Sequence, residues 1–396
     1  MRFLNRERLT IYPRIFLALY LVLGGYWIMG GLVTGKGPTD RLGKPVGGDF
    51  VQYWAASRLA LSGEATAVYD SSYLYEAERQ VTGVFFPLPW HYPPTFLLMV
   101  LPFSLLPFLA SLVIWLGGTL TGYLTVIRRI APHTLTFWLT LAFPGTFQNL
   151  IHGQNGFLSA GLLGAGLLLV ERNPWLAGFF FGLLTFKPHL VLLVPVALVA
   201  GRCWKALAAM CLTFGILAVS SLLALGAPVW VAFWKNIPFG MELLQVGAMN
   251  VYKMPTIYAA AFLAGSGPRL ALLLQEIAAG GMALLVAWTW FRKISLPIRA
   301  SILTLAILLT TPYAFEYDLT ILALPLAWLG GEVLATGWLP LEQPVMAATW
   351  LLPLVTPFIA RLTHFQLSPL VLFILLALLL RRAAAFSASL NPANSQ

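Results

Sequence analysis

The residue best suited to acid–base chemistry is Asp49, which follows two glycines and begins a stretch of helical character. On a helix Asp49, Gln52 and Tyr53 share one face. Phe50 and Trp54 then form an edge that we expect to face the membrane. A carboxylate in this place could take a proton from a hydroxyl as a general base. An Asp after Gly-Gly is also an ordinary helix N-cap, and this segment alone leaves both interpretations open.

A basic residue, Lys187, interrupts an apolar stretch and is followed directly by Pro188. A cation held at the depth of the lipid headgroups suits a phosphate group. The alternative is a Lys whose stem lies in apolar surroundings while its ammonium reaches water. The short apolar segments on either side, 176–186 and 190–200, predict a re-entrant or thinned helical pair with Lys187 and Pro188 at the turn.

Two further polar segments lie between apolar stretches. The sequence from His152 to Asn155 has glycines around it and many hydrogen-bonding groups, which is typical of a turn that contacts sugar or of a tight interhelical loop. Glu316 and Asp318 follow a Thr-Pro pair, so a non-helical segment could bring both carboxylates to one site. The alternatives are a solvated loop and a metal-binding pair, although further oxygen ligands for a cation are not apparent nearby.

The composition defines the kind of protein that positions these groups. Of 396 residues 59% are hydrophobic and 10% are charged, with a mean hydropathy of +0.82. Soluble domains carry about 25% charged residues, so a soluble globular protein, a disordered chain and a nucleic-acid reader are excluded. The net charge of +10 is typical of a membrane protein whose Lys and Arg lie on the cytoplasmic side. Cys203 and Cys211 are too few for a thiolate metal cluster.

Apolar stretches of about 20 residues predict transmembrane helices. The first is 15–33, and basic residues before it place the N-terminus in the cytoplasm: Arg2, Arg6, Arg8 and Arg14. The stretch 94–127 contains Pro102 and Pro107 and is either one broken crossing or a hairpin. Arg128 and Arg129 follow it, which favours an odd number of crossings.

With that parity we expect a single all-α membrane domain over 1–396 with about 12 transmembrane helices, within a range of about 10–13. Both termini are then cytoplasmic. The inner side carries 14 Lys and Arg against four carboxylates, the outer side carries ten against nine, and Glu276 lies within a predicted transmembrane helix. The outer side has a first loop at 34–92, with amphipathic surface helices near 49–61 and 71–81, and a second loop at 226–267. All the polar segments above converge on this outer side.

The same segments, in order between residues 49 and 325, resemble the motifs of glycosyltransferase family 87. The first-loop matches are Asp49-Phe50, Tyr53-Trp54-Ala55-Ala56-Ser57, Leu61 with Gly63, Tyr69-Asp70 and Tyr92-Pro93-Pro94. The later matches are Gly153-Gln154-Asn155, Lys187-Pro188, and Thr311-Pro312 followed by Tyr317-Asp318. The resemblance implies a GT-C fold and transfer of a sugar from a polyprenyl phosphate on the extracytoplasmic side of a bacterial-type plasma membrane.

The resemblance also implies roles for individual residues. Asp49 would be the catalytic base for inversion at the anomeric carbon. Lys187, with Arg58, would bind the donor phosphate. The expected substrate contacts are Gln52, Tyr53, His152, Gln154, Asn155, His189, Glu316 and Asp318. The acceptor would be a lipid or glycan, and mannose is one option for the donor sugar.

No cofactor is expected, because no phosphate-binding loop, dinucleotide glycine motif or zinc helix motif is apparent. A divalent cation is not indicated by the sequence. The main alternative function is a secondary transporter or a flippase of lipid-linked sugars, since these proteins also have broken helices and charged residues at depth. Transporters place their site near the midplane between repeated halves, whereas here the polar segments converge on one side. A non-catalytic membrane scaffold does not explain Asp49.

Overall fold

The computed structural model describes residues 5–34, 39–41, 43–84, 86–246, 249–292 and 294–390. Regular structure in these ranges is helical, apart from an isolated bridge between Thr39 and Pro45. An all-α membrane fold is confirmed. Arg2, which contributed to the predicted topology, lies outside the described residues, as do parts of both predicted outer loops.

The α-helices follow one another along the whole chain. The first ten are α1 (Arg6–Thr34), α2 (Phe50–Leu61), α3 (Ser71–Thr82), α4 (Pro94–Val100), α5 (Phe108–Ile130), α6 (Thr134–Leu141), α7 (Pro144–His152), α8 (Gly156–Leu169), α9 (Pro174–Leu183) and α10 (Pro188–Val191). The others are α11 (Leu193–Ala200), α12 (Trp204–Leu225), α13 (Ala227–Gln245), α14 (Ile257–Leu263), α15 (Gly267–Phe291), α16 (Leu296–Thr310), α17 (Ala323–Thr336), α18 (Glu342–Thr363) and α19 (Ser368–Leu390). Short 3₁₀ helices lie at Ala65–Tyr69, Leu101–Leu105, Leu184–Phe186, Val251–Lys253 and Glu316–Leu322.

Seven segments of the described chain are helical, long and apolar enough to cross a membrane. They are Glu7–Tyr26, Phe108–Ile130, Trp204–Leu225, Gly267–Phe291, Glu316–Thr336, Glu342–Thr363 and Ser368–Ala385. Shorter apolar helices lie at Pro94–Leu105, Gly156–Leu169, Pro174–Phe186, Pro188–Ala200 and Leu296–Thr310. A multi-pass membrane protein is therefore confirmed, while the predicted number of crossings stays a prediction.

Helix α16 forms the centre of the hydrophobic core. Every residue from 298 to 310 is buried, because the helix is covered by α11, α15, α17 and α19. A helix that is apolar on all sides needs such cover from its neighbours. The helix ends at Thr310, so the chain leaves the core immediately before the segment that carries Glu316 and Asp318.

The segment 94–127 consists of two helical pieces. The first runs from Pro94 to Leu105, and the backbone is extended at Leu106 and Pro107 before α5 begins. Proline at this junction supplies no amide donor to the turn before it, which favours a break. Only the second piece, α5, has the length of a membrane span by itself.

Helix α2 corrects one expectation for the first outer loop. Phe50 is fully buried and Trp54 is 8% exposed, so the predicted membrane-facing edge is wrong. The helix packs against α3, α4 and the 3₁₀ helix Leu101–Leu105, which cover its apolar side chains. Helix α3 retains the expected amphipathic form, with Leu74 buried and Glu76 exposed. Residues 50–57 are therefore interior, and the side chains at the start of α2 meet other parts of the protein.

Candidate active site

Asp49 lies immediately before α2, after the turn formed by Gly47 and Gly48. Its amide donates to the carbonyl oxygen of His152 at 2.8 Å, whereas its side chain makes no capping hydrogen bond to α2. The Oδ2 atom accepts from Nε2 of Gln154 at 2.8 Å. Among the described residues Oδ1 accepts no hydrogen bond. The side chain is therefore not a helix cap, and one carboxylate oxygen is left for a ligand.

Gly153 lets the turn at Gly47 and Gly48 pack closely against the residues just before α8. Its φ of +61° lies in the left-handed region, which favours glycine. A Cβ atom at this position would lie against the carbonyl oxygen of Gly47 and 2.8 Å from Cβ of Phe50. Only glycine fits here without movement of the backbone. The Asp49 turn and the residues after Gly153 are thus fixed to each other.

The side-chain amide of Gln154 connects Asp49 to two buried tyrosines. Its Nε2 atom donates to Asp49, and its Oε1 atom accepts from the hydroxyl of Tyr53 at 2.5 Å and of Tyr92 at 3.4 Å. These partners leave only one orientation of the amide in which every donor faces an acceptor. Gln154 therefore holds the carboxylate of Asp49 in a defined position.

Asn155 continues the chain of hydrogen bonds towards Lys187. Its Nδ2 atom donates to the hydroxyl of Tyr92 at 2.8 Å and of Tyr53 at 3.0 Å. Its Oδ1 atom accepts from Nζ of Lys187 at 2.8 Å. Burial raises the pKa of both Tyr53 and Tyr92, so the phenols remain protonated and act as neutral hydrogen-bond donors.

Lys187 lies at the break between the 3₁₀ helix Leu184–Phe186 and α10, as the sequence predicted. Its side chain is 5% exposed and its Nζ atom is 2.5 Å from Oδ1 of Asp318, which is 1% exposed. The ring centre of Tyr317 is 5.3 Å from the same ammonium. The alternative in which this ammonium reaches water at the membrane surface is therefore wrong. We call Asp49, Tyr53, Tyr92, Gln154, Asn155, Lys187 and Asp318 the polar cluster.

Glu316 lies beside the polar cluster and makes different contacts. Its Oε1 atom is 2.8 Å from Nζ of Lys253 and 3.6 Å from Nε2 of His152. Its Oε2 atom is buried and has no hydrogen-bond partner among the described residues. The 3₁₀ geometry of residues 316–322 lets both Glu316 and Asp318 turn inwards, and both are buried. The solvated-loop alternative is therefore wrong for this pair.

Besides Glu316 and His152, which contact each other next to the polar cluster, three predicted site residues lie outside it. Gln52 is buried on α2, but the hydrogen bonds described above do not include its side chain. Arg58 is exposed near the far end of α2, with its guanidinium 5.5 Å from the ring centre of Trp54. His189 lies two residues after Lys187, and its buried Nε2 atom has no partner in the described chain. Arg58 is exposed whereas Lys187 is buried, and their joint binding of a donor phosphate stays a prediction.

Three contacting residues were not predicted as site residues. Tyr92 and Tyr317 were noted only within the motifs that resemble the family, Tyr92-Pro93-Pro94 and Tyr317-Asp318, and neither was assigned a role. Lys253 lies in the second outer loop, where nothing in the sequence distinguishes it from Lys235.

Metal ligands are not grouped in the described part of the chain, where no three His, Cys, Asp or Glu side chains could together hold a metal ion. The polar cluster instead consists of one partly free carboxylate, two neutral phenols, two amides and a buried ion pair. This arrangement can accept a proton at Asp49 and orient hydroxyl groups beside it.

A comparison with protein families gives one match, to the model of glycosyltransferase family 87 over residues 90–312. No curated protein and no solved structure gives a significant match. The matched range includes Tyr92, Gln154, Asn155 and Lys187. Asp49 lies before this range, and the hydrogen bond to Gln154 connects it to the matched part.

Proposed function

The chain belongs to glycosyltransferase family 87, and we propose that it transfers a hexosyl group from a polyprenyl-phosphate sugar to a lipid or glycan acceptor. Family membership together with the apolar helices indicates a membrane glycosyltransferase. The proposal adds the donor class, the acceptor class and an active site on the extracytoplasmic side. Mannose is one candidate for the transferred sugar.

One observation carries the proposal: Asp49 has one carboxylate oxygen held by Gln154 and the other free of hydrogen bonds from the described residues. A general base needs a fixed position and an oxygen that can reach the acceptor hydroxyl. A capping Asp would have its oxygens directed at the first amides of the helix. The geometry of Asp49 therefore supports a base more than a structural cap.

In the proposed reaction the acceptor hydroxyl gives its proton to Oδ1 of Asp49. Its oxygen forms a bond to the anomeric carbon from the side opposite the phosphate, which inverts the configuration. The bond between the anomeric carbon and the phosphate oxygen breaks, and its electron pair stays on the lipid phosphate. Gln154 keeps the base in place, and Asn155 with the hydroxyl groups of Tyr53 and Tyr92 supplies polar contacts near the reacting groups.

We assign Lys187 a positioning role within this reaction. Its ammonium donates to Asn155 and Asp318, and the ring of Tyr317 lies near the same group. A direct bond to the donor phosphate would require the ammonium to leave a buried carboxylate, which is costly. The buried ion pair instead fixes Asn155 and joins the segments that carry the cluster.

A transfer assay with purified protein in lipid nanodiscs tests this function. The donors are polyprenyl-phosphate hexoses offered one at a time, and the acceptors are membrane lipids extracted from the source cells. We expect Asp49→Asn to lower the transfer rate by about 10²–10⁴-fold, the usual contribution of a general base. Asp70→Asn is the matched control, because Asp70 is an exposed carboxylate before the next helix and lies outside the polar cluster.

Full activity of Asp49→Asn would refute the assignment of the base. An absence of transfer by the unchanged protein with every donor would refute the donor class. Analysis of lipids in a strain that lacks the gene would then identify the acceptor, because the unglycosylated acceptor accumulates.

A further inference from the structure

The leaving group of the proposed reaction needs a cation, and this inference rests on the proposed function. The lipid phosphate gains negative charge as its bond to the sugar breaks, so a nearby positive charge lowers the barrier. Two lysines contact the groups around Asp49: Lys187 through Asn155, and Lys253 through Glu316. The structure distinguishes these two lysines by burial and by the partners of each ammonium.

The ammonium of Lys187 is already committed to protein groups. It is 2.5 Å from Asp318 and 2.8 Å from Asn155, and its side chain is 5% exposed. An ammonium has three N–H donors, and two of them are used in these bonds. The ring of Tyr317 lies near the third position. A phosphate would therefore have to displace a buried carboxylate to reach this lysine.

By the same two criteria, burial and the partners of the ammonium, Lys253 is available to bind an anion. Its side chain is 35% exposed, and the contact described for its Nζ atom is with Oε1 of Glu316 at 2.8 Å. Glu316 is 5% exposed at the side chain and has a second oxygen, Oε2, that is buried without a partner. A partly exposed lysine joined to a buried carboxylate can turn towards an incoming anion while Glu316 keeps its contact with His152.

Lys253 is also close to the candidate base along a short series of contacts. It contacts Glu316, Glu316 lies 3.6 Å from the ring of His152, and the carbonyl oxygen of His152 accepts from the amide of Asp49. The 3₁₀ helix Val251–Lys253 packs against α18 and α14, so the lysine is supported by regular structure. Two residues, Glu316 and His152, therefore connect Lys253 to the backbone of the residue that would take the proton.

We propose that Lys253 binds the phosphate of the polyprenyl donor, exchanging its ion pair with Glu316 for an ion pair with the lipid phosphate. In the transfer step the proton of the acceptor goes to Asp49. The electron pair of the broken bond goes to the phosphate oxygen, where Lys253 offsets the added charge. Glu316 is the group that holds the lysine in place when the phosphate is absent.

Binding of the leaving group alone tests this assignment without any turnover. The probes are undecaprenyl phosphate and uncharged undecaprenol, each titrated into the full-length protein in nanodiscs. We expect Lys253→Ala to weaken binding of the phosphate lipid by about tenfold or more, which corresponds to about 1.4 kcal/mol. Binding of undecaprenol should not change. Lys253→Arg should retain most of the affinity, because the positive charge is kept.

Two further variants separate a phosphate ligand from a structural ion pair. Lys235→Ala removes an exposed lysine from α13 and should leave both affinities unchanged. Glu316→Gln removes the competitor for Lys253 and should keep or increase the affinity for undecaprenyl phosphate. If the ion pair were only structural, Glu316→Gln and Lys253→Ala would weaken binding alike.

The inference is overturned if Lys253→Ala binds the phosphate lipid as the unchanged protein does, or if it loses both lipids equally. Failure of the proposed function has a different result. In that case the unchanged protein would transfer no sugar, whatever the lipid affinities of the Lys253 variants.

Discussion

Asp49 and Asp70 each precede a helix of the first outer loop, but their side chains are used differently. Oδ1 of Asp70 accepts from the amide and the hydroxyl of Ser72, which is the geometry of an N-cap, and these bonds lower the pKa of Asp70. Asp49 makes no such bond to its own helix and instead meets Gln154. Residue type and sequence position are equivalent in the two cases. The candidate base is distinguished from the cap by its hydrogen bond from Gln154, which lies 105 residues later in the sequence.

This difference predicts which substitutions at the two positions change the stability of the protein. Asp70→Ala removes a cap and should lower the free energy of unfolding by about 1 kcal/mol, whereas Asp70→Asn should retain the cap. Asp49→Asn keeps an acceptor for Gln154 and should leave the stability unchanged. The midpoint of thermal unfolding in detergent measures all three variants. A loss of stability in Asp49→Asn as large as that in Asp70→Ala would contradict the expectation that Asn at position 49 keeps the hydrogen bond to Gln154.

Glu78 predicts a dependence of stability on pH. The residue is 1% exposed on α3, its Oε2 atom accepts from the amide of Leu88, and Oε1 has no partner among the described residues. Burial raises the pKa of Glu78 to about 9. At a pH between the ordinary pKa of Glu and about 9, this carboxyl group is therefore neutral in the folded protein and ionised in the unfolded chain. The stability of the folded state is lost progressively as the pH rises between these two values.

Glu78→Gln keeps the shape and stays neutral, so it should raise the midpoint of thermal unfolding at neutral and alkaline pH. The gain should widen between about pH 5 and about pH 8.5 and vanish near the ordinary pKa of Glu. Glu76→Gln is the control on the same helix, because Glu76 is exposed and pairs with Arg79. A constant difference between Glu78→Gln and the unchanged protein at every pH would contradict a buried neutral carboxyl.

At the scale of elements, the polar cluster depends on places where helices stop. Asp49 precedes α2, Gln154 and Asn155 precede α8, Lys187 precedes α10, and Asp318 lies in a 3₁₀ helix. Backbone without regular α-helical bonds exposes amides and carbonyls, and in a membrane protein it is tolerated where it is buried in protein or lines a cavity. The segments at these helix breaks therefore contact one another, and their polar side chains form hydrogen bonds with each other.

The close contact at Gly153 predicts that activity depends on the alignment of the Asp49 turn with the residues before α8. Gly153→Ala would place a methyl group against the carbonyl oxygen of Gly47 and push the Asp49 turn away from Gln154. We expect the transfer rate to fall by about tenfold or more, because small displacements of a catalytic group are costly. Gly83→Ala is the matched control, since Gly83 also has a positive φ of +72° but no atom that the structure describes lies within 4 Å of its added Cβ.

Gly83→Ala should lose some stability through backbone strain and retain the transfer rate. Equal losses of activity in the two variants would show that strain alone, and not the contact between the two breaks, accounts for the effect.

The sequence predicted the positions of these breaks better than the contacts between them. Pro188 after Lys187 and the Thr-Pro pair before Glu316 are local signals, and both correspond to helix ends in the structure. The ion pair between Lys187 and Asp318 joins residues 131 apart, and no local signal specifies such a partner. The burial of α2 was also missed, because its cover comes from α4 and the 3₁₀ helix that follows it.

At the scale of the whole molecule, the ion pairs agree with the predicted sides of the membrane. Within the described residues, Lys187–Asp318 and Lys253–Glu316 join groups that the charge tally places outside. The pairs Arg299–Glu171 and Arg382–Glu342 join groups that are among the basic and acidic residues counted on the inner side. A wrong parity between these segments would have paired residues assigned to opposite sides. The pairings are consistent with the predicted relative sides, and the absolute orientation stays a prediction from the positive-inside rule.

Labelling of single cysteines tests that orientation. Cys203 and Cys211 are first replaced by Ala, and a cysteine is then introduced at Glu64 or at Arg172, both of which are exposed. In sealed right-side-out vesicles a thiol reagent that cannot cross membranes should label Glu64→Cys, because the first loop is predicted to be extracytoplasmic. Arg172→Cys should be labelled only after the vesicles are opened. The opposite pattern would place the polar cluster on the cytoplasmic side, where a polyprenyl-phosphate sugar presented on the outer face could not reach Asp49. Labelling of both cysteines before opening would instead mean that the segment between α3 and α9 crosses the membrane an even number of times. The predicted odd number of crossings for the two helical pieces between Pro94 and Ile130 would then be wrong.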